Sequence, residues 1–212
     1  MSGKAEFATP QESFWAGKFG SEYILRNRSE ELLASNLQFF SRCLRRAGRI
    51  RSCVELGANI GMNLSALKLL YPGISVRGIE INREAAAELA ELIGAENTEV
   101  ISILDWHPTE PADLALVRGV LIHTEPEMLS IVYERLYQAA KQFVLIAEYY
   151  NPTPIAVTYR GYEDRLFKRD FAGEMLDLYP GLKLRDYGFS YRRDPSFPQD
   201  DITWFLLEKR PL

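Results

Sequence analysis

Residues 55–61 read ELGANIG, and the reading of this stretch decides the fold. It follows an apolar run, RSCVEL (51–56), and precedes MNLSALKLLY (62–71), whose apolar residues recur at helical spacing. A glycine-bearing loop between strand and helix is where α/β sheets take ligands, because glycine lets the backbone turn tightly and approach the ligand closely. The dinucleotide fingerprint G-x-G-x-x-G would need glycines at 57, 59 and 62, and the chain has Gly57, Asn59 and Met62. Two positions fail, which argues against a nicotinamide-dependent oxidoreductase. The spacing that is met is E-x-G-x-x-x-G, through Glu55, Gly57 and Gly61. Asn59 is the non-glycine residue most tolerant of positive φ.

Around this loop, short apolar runs alternate with longer helical ones: ISVRGIEI (74–81), REAAAELAELI (83–93), EVISILDW (99–106), DLALVRGVLI (113–122), EMLSIVYERLYQAAK (127–141) and FVLIAEYY (143–150). That rhythm predicts βαβ units and a parallel sheet with helices on both faces. Beyond Pro154 come a polar stretch, a helix-like KRDFAGEMLDLY (168–179), and two strand-like runs, LKLRDYGFSYR (182–192) and DITWFLLEK (201–209). The turn formers of RDPSFPQD between those runs predict an antiparallel hairpin. Ahead of the sheet, PQESFWAGKFGSEYI and SEELLASNLQFFSRCLRRAG read as two helices, the second capped by Ser29.

The 212 residues suit one domain: residues 1–48 as a helical lid, 49–150 as a ligand-binding core, and 151–212 as a substrate-side insertion and hairpin. At 47% hydrophobic and 25% charged residues the composition is that of a globular protein, and the formal charge of −4 does not favour nucleic acid. The basic run RCLRRAGRIR (42–51) has five arginines but closes a helix, where cations complement the dipole, so it reads as a solvated face. Cys43 and Cys53 are too few for a disulfide framework, and no metal-ligand spacing is present. The polar start is no secretory signal, the longest uncharged stretch (56–67) is too short to span a bilayer, and a cytoplasmic location follows as the expectation. The oligomeric state is not readable.

Two further features bear on the ligand. Glu80 ends the second predicted strand 23 residues after Gly57, where a carboxylate can accept hydrogen bonds from both hydroxyls of a ribose. Asp105 and Trp106 end the third, suited to an adenine edge and ring. With a loop that seats no pyrophosphate, these point to S-adenosyl-L-methionine (SAM) as the cofactor.

Long strings of the chain are similar to class I SAM-dependent methyltransferases, and among them to the pseudaminic acid biosynthesis-associated methylase family. These are ATPQESFWAGKFGSEYILRN, ELLASN, ELGANIGMNL, GVLIH, AEYYNPTP, YRGYEDRLFKRDFAGEML and FPQDDITWFLLEK. The resemblance implies a Rossmann-like, seven-stranded, mostly parallel sheet with a C-terminal antiparallel hairpin and an N-terminal helical lid. It implies that Glu55, Gly57, Ala58, Asn59 and Gly61 wrap the methionine part of SAM, that Glu80 and Ile81 hold ribose and adenine, that Asp105 and Trp106 hold the adenine edge, and that Gly119 lines the methionine moiety. The acceptor it implies is a small polar metabolite, a nonulosonic (pseudaminic-acid-like) sugar or its nucleotide-activated form.

Trp15, Phe19, Tyr23 and Arg26 recur at helical spacing, and the first three share a face that is either a cofactor lid or core packing; Arg26 is a candidate for the SAM carboxylate. Methyl transfer needs alignment and, from a hydroxyl or ammonium, removal of a proton. His123, Glu148 and Tyr149 lie at strand ends and are the catalytic candidates. Tyr150, Asn151, Arg160, Arg165 and Arg169 are the substrate candidates, the arginines for a carboxylated or phosphorylated acceptor, with a solvated helix start as the plainer reading of that segment. Non-methyl chemistry, in which SAM cyclises to azetidine-2-carboxylate and releases methylthioadenosine, is the alternative reaction. SAM binding without catalysis stays open.

Overall fold

The structure, a computed structural model, describes residues 7–24 and 28–210, with the backbone alone at 163 and 164. Nine strands and seven α-helices are seen among these residues. In chain order they are α1 (Pro10–Ala16), α2 (Lys18–Ile24), α3 (Glu30–Cys43), β1 (Ser52–Leu56), α4 (Met62–Leu70), β2 (Ser75–Glu80), α5 (Arg83–Ile93), β3 (Thr98–Val100), β4 (Ala112–Arg118), α6 (Leu129–Ala139), β5 (Ala140–Glu148), β6 (Ile155–Tyr159), β7 (Tyr162–Lys168), α7 (Phe171–Leu178), β8 (Leu182–Ser190) and β9 (Ile202–Lys209).

Seven strands form one sheet in the order β3-β2-β1-β4-β5-β9-β8. β3, β2, β1, β4 and β5 pair in parallel, and β9 runs antiparallel to both of its neighbours. The strand order reverses between β1 and β4, which opens a crevice at their carboxyl ends. The central strands are buried on both faces, and period-2 alternation sends successive side chains to opposite layers. In β4, Ala115 and Val117 pack with α6 and α7 residues, whereas Leu114 and Leu116 pack with α3, α4 and α5 residues. The expected α/β architecture is what the chain adopts.

Local chemistry sets the boundaries. Ser29 caps α3 by accepting from the Leu32 N–H at 3.0 Å. Asn82 caps alanine-rich α5 by accepting from the Glu84 and Ala85 N–H groups, each at 3.0 Å.

Three expectations are corrected. The first predicted helix breaks at Gly17 into α1 and α2. α3 buries Phe39 and Phe40 in the core and also lines the crevice through Leu32 and Asn36, beside α1 and α2. The third strand stops at Val100: Ser102 Oγ accepts from the Leu104 N–H at 3.0 Å and the Ser102 carbonyl from the Asp105 and Trp106 N–H groups, so 102–106 is a turn. The polar segment after Pro154 is not a helix start but a β6–β7 hairpin, whose turn residues Arg160 (φ 52°) and Gly161 (φ 86°) have the left-handed conformation of a two-residue hairpin loop. The arginine run is the solvated face expected: Arg42, Arg45, Arg46, Arg49 and Arg51 are all exposed, and Arg45 and Arg46 also reach Asp186 of β8 at 2.9 and 3.6 Å.

Candidate functional site

A cavity of about 590 Å³ opens at the carboxyl ends of β1, β2 and β4. Its floor is the 57–60 loop, its roof α1 and α2, and its far wall the loop ahead of β9. The loop is folded by its neighbours: the Gly57 and Ala58 N–H groups donate to the Ile79 carbonyl at 2.8 and 3.0 Å, tying it to β2. Gly57 has φ 74°, and a Cβ there would lie 2.5 Å from Val120 Cγ2, so both conformation and space require glycine. Asn59 takes φ 50°.

Glu80 closes the loop into a unit. Its carboxylate accepts from the Asn59 N–H at 2.7 Å and from the Asn82 N–H at 2.8 Å. Burial pushes its pKa up, opposed by these backbone donors. Glu80, Ile81 and Asn82 line the cavity together with Ser102, Ile103 and Leu104.

At the other end, Arg118 closes β4. Its Nη1 donates to Asn36 Oδ1 at 2.8 Å and Asn63 Oδ1 at 2.7 Å, its Nη2 donates to Gln199 Oε1, and the Phe39 ring lies 4.7 Å from its Cζ. Glu55 is buried below, accepting from Asn63 Nδ2 at 2.6 Å, and desolvation raises its pKa to about 8.

His123 stands beyond Gly119, between Trp15 and Tyr159, with ring centroids at 4.7 and 4.9 Å. Its Nδ1 is 2.5 Å from the Arg165 carbonyl oxygen, which can only accept, so Nδ1 carries the proton and Nε2 keeps its lone pair. Burial lowers the imidazole pKa to about 4, which keeps the ring neutral. A side chamber of about 120 Å³ adjoins it, walled by Tyr23, Gly119, His123, Tyr149, Tyr159, Arg160 and Asp200 among others.

The structure therefore brings together Gly57, Ala58, Asn59, Glu80, Ile81, Gly119, Trp15, Tyr23, His123 and Arg160 around the cavity, and adds Tyr149 at the chamber. Burial and the nearby Asp200 raise the Tyr149 pKa, so its hydroxyl stays protonated.

Other candidates lie elsewhere. Glu55 and Gly61 sit beneath the loop; a Cβ at Gly61 would press on Leu89 and Leu92, so that glycine serves helix packing. Asp105 is exposed, and Trp106 is turned into the core, where its Nε1–H donates to Glu99, so Ser102–Leu104 take the wall assigned to them. Phe19 stacks on Phe14 at 4.1 Å, behind the cavity. Glu148 borders the chamber, but its two oxygens accept from the Val120, Leu121 and Ile122 N–H groups at 2.9, 3.0 and 3.4 Å; it holds the turn after β4 and is not placed as a base. Arg169 pairs with Glu174 at 2.6 Å, Arg165 reaches toward Phe14, Tyr150 packs on Phe205, and Asn151 donates to the Thr153 carbonyl. Arg26 lies outside the described residues.

Sequence reasoning missed Asn36, Asn63, Arg118, Asn82 and Gln199. The lone arginine ending an apolar strand in ALVRG was a usable signal for one of them. The amides carried none, since their partners come from distant elements.

Among the described residues no cluster of His, Cys, Asp and Glu is placed to hold a metal ion, and no helix is long and apolar enough to cross a membrane.

No family model matches the chain, and no curated protein matches it. Many solved structures share its fold. The 1,6-didemethyltoxoflavin-N1-methyltransferase of Burkholderia thailandensis, solved with 1,6-didemethyltoxoflavin and S-adenosylhomocysteine, superposes with a TM-score of 0.70 at 14% identity, over 98% of this chain and 93% of that one. Magnesium protoporphyrin IX methyltransferase from Synechocystis PCC 6803, solved with SAM, gives 0.63 at 13% identity over 97% and 100%. Mitomycin 7-O-methyltransferase gives 0.63 at 15% identity over 93% of this chain, which spans 60% of its length. At these identities the likeness establishes the fold, and the chain has the fold of these methyltransferases.

Proposed function

We propose that the chain is a SAM-dependent methyltransferase acting on a small polar metabolite. The observation that carries this reading is the cavity itself: a buried carboxylate at one end, a guanidinium at the other, a glycine loop between them, and a histidine with an available Nε2 beside a side chamber. The neighbours of this fold solved with SAM or its demethylated product support the same cofactor. Glu80 would accept from the ribose hydroxyls, the Gly57–Asn59 backbone would pass close to the methionine arm, and Ile81 with Ile103 and Leu104 would flank the adenine. SAM supplies an electrophilic methyl group; the protein aligns the acceptor with it and takes up the proton.

In this reading the reacting end of the acceptor enters the side chamber, with its hydroxyl or amine toward His123 Nε2. At about 120 Å³ the chamber is smaller than the ~150 Å³ that holds a benzene ring, which suits the reacting end of an acceptor and not a whole ring. Arg160 and Tyr149 give it polar walls. A nonulosonic sugar, the acceptor implied by the resemblance, would place only its reacting hydroxyl in the chamber and the rest of its ring, side chain and carboxylate outside it. Cyclisation of SAM alone would not call for this chamber, so acceptor methylation is the better-supported chemistry.

The test is incubation of the purified chain with methyl-labelled SAM and a panel of acidic and neutral sugars and their nucleotide forms. Label transfer with S-adenosylhomocysteine as co-product supports the reading. Methylthioadenosine in the absence of any acceptor, or no binding of SAM by calorimetry, would overturn it.

A further inference from the structure

Arg118 poses an electrostatic problem that the protein alone does not solve. The guanidinium is charged at every accessible pH, belongs to a half-buried residue and borders the cavity. A cation so placed calls for a counter-charge. Yet its hydrogen-bond partners, Asn36, Asn63 and Gln199, are all neutral amides. Among the described residues no carboxylate lies within ion-pair distance of it. Glu55 and Asp200 act on it only through space, and Glu55, desolvated, holds its proton up to about pH 8.

The amides come from three separate elements, α3, α4 and the loop ahead of β9. They give Nη1 two acceptors and Nη2 one, which leaves Nε–H and one of the two Nη2 hydrogens for a ligand. Nε and Nη2 are the side-on edge of a guanidinium, the edge that takes a carboxylate through parallel bonds, and Nε has no protein hydrogen-bond partner among the described residues. The register agrees: Leu56 pairs with Val117, which sets Arg118 beside Gly57 at the crevice end opposite Glu80. The cavity thus offers an acceptor to a diol at one end and a donor fork at the other.

We infer that Arg118 is the carboxylate receptor of this site, binding the α-carboxylate of the cofactor's amino-acid arm, with Asn36, Asn63 and Gln199 as positioning residues that fix the guanidinium plane. The inference rests on the reading of the ligand as an adenosyl sulfonium. It assigns to Arg118 the role that the sequence suggested for Arg26, and it explains why a buried strand ends in an unpaired cation.

Calorimetry on the full chain separates this claim from its parent. Three probes share the adenosine and thioether: S-adenosylhomocysteine, its decarboxylated analogue, and 5′-methylthioadenosine. In the wild type, loss of the carboxylate alone is expected to weaken binding at least tenfold; decarboxylated ligand binding within threefold of the intact one would overturn the inference without any variant. Arg118→Lys keeps the charge and loses the fork. It is expected to reduce the preference for S-adenosylhomocysteine over 5′-methylthioadenosine at least tenfold, with 5′-methylthioadenosine affinity within twofold of wild type. Equal weakening of both ligands would mark Arg118 as structural only and overturn the assignment. Should the wild type bind none of the three, the adenosyl reading itself fails, and this inference with it.

Discussion

Asn82→Asp separates two roles held by one side chain. Asn82 Oδ1 caps α5, while Nδ2 faces the carbonyls that end α1, Trp15 at 3.2 Å and Ala16 and Gly17 at 3.3 Å. Its backbone N–H meanwhile holds Glu80. Aspartate caps a helix as well as asparagine, so α5 keeps its start. Toward the lid, however, two N–H donors are lost at about 1 kcal/mol each, and an anion is set against three carbonyl dipoles. Docking of α1 and α2 should weaken by roughly 2–3 kcal/mol, and at tenfold per 1.4 kcal/mol the open fraction rises about 30- to 150-fold. Hydrogen exchange across residues 10–24 measures this. Faster exchange there, with α5 amides and the melting temperature unchanged, is the expected result. Asn82→Ala, which also removes the cap, should lower the melting temperature by about 2–4 °C for ~1 kcal/mol. Gly20→Ala reaches the same end from the other side, since its Cβ would overlap the Trp15 carbonyl oxygen and lie 2.9 Å from Asn82 Nδ2. Unchanged lid exchange in Asn82→Asp would refute the reasoning, because the remaining fastenings, Glu12 with Ser102 and Trp15 on His123, would then suffice.

Three other perturbations follow. His123→Phe keeps the stack on Trp15 and Tyr159 but removes Nε2; turnover should fall at least ~100-fold with KM for SAM changed little, and a fall below tenfold would remove His123 as base. With the imidazole pKa near 4, the pH–rate profile should show no histidine limb near 6.5. Glu55 is raised from 4.5 to about 8, so the unfolded chain ionises first and stability falls as pH rises between those values, then levels; Glu55→Gln should flatten that part of the melting-temperature profile, and an unaltered slope would count against it. Gly57→Ala should cost about 1–3 kcal/mol by chemical denaturation and abolish cofactor binding, through its positive φ and the contact with Val120; near-wild-type affinity would show that the loop tolerates a Cβ.

How far the sequence predicts the site depends on the range of the interactions. Strand–loop–helix order, the α5 cap and Gly57 rest on local patterns, and β1, α4, β2 and α5 fall within a residue or so of their expected limits. Strand three was overextended because ISILDW is apolar enough for a strand, while Ser102, through its own side-chain turn, decides otherwise. The β6–β7 segment carries charges at no clear period, so neither helix nor hairpin is marked except by the RG pair at its turn. Glu148 looked like a base from its strand-end position; that three backbone donors surround it depends on the turn after β4, which no local pattern specifies. The amides around Arg118 come from residues 36, 63 and 199 and meet only through the fold.

The pairing of loop and acid builds the site from the chain's own contacts. A carboxylate has about four lone-pair sites. Asn59 N–H takes one on Glu80 Oε2 and Asn82 N–H one on Oε1, and the Ile81 N–H also acts on the carboxylate, which leaves acceptor capacity for a ligand hydroxyl. Burial raises the Glu80 pKa, and the Asn82, Asn59 and Ile81 N–H donors oppose it, favouring the ionised form that accepts from hydroxyls. Because Asn59 belongs to the glycine loop and Asn82 to the α5 start, Glu80 fixes both with its own side chain, and Asn82 carries that order on to the lid. Ligand binding then need not order the loop, and the entropy it would otherwise lose there is already spent in folding. Replacing Glu80 by glutamine tests this chain of contacts directly: one oxygen becomes an N–H₂ facing a backbone N–H, so the loop should loosen even without ligand, visible as faster exchange at Asn59 and Ile60. An unchanged loop with weakened ligand binding would mean that Glu80 touches the ligand but does not build its site.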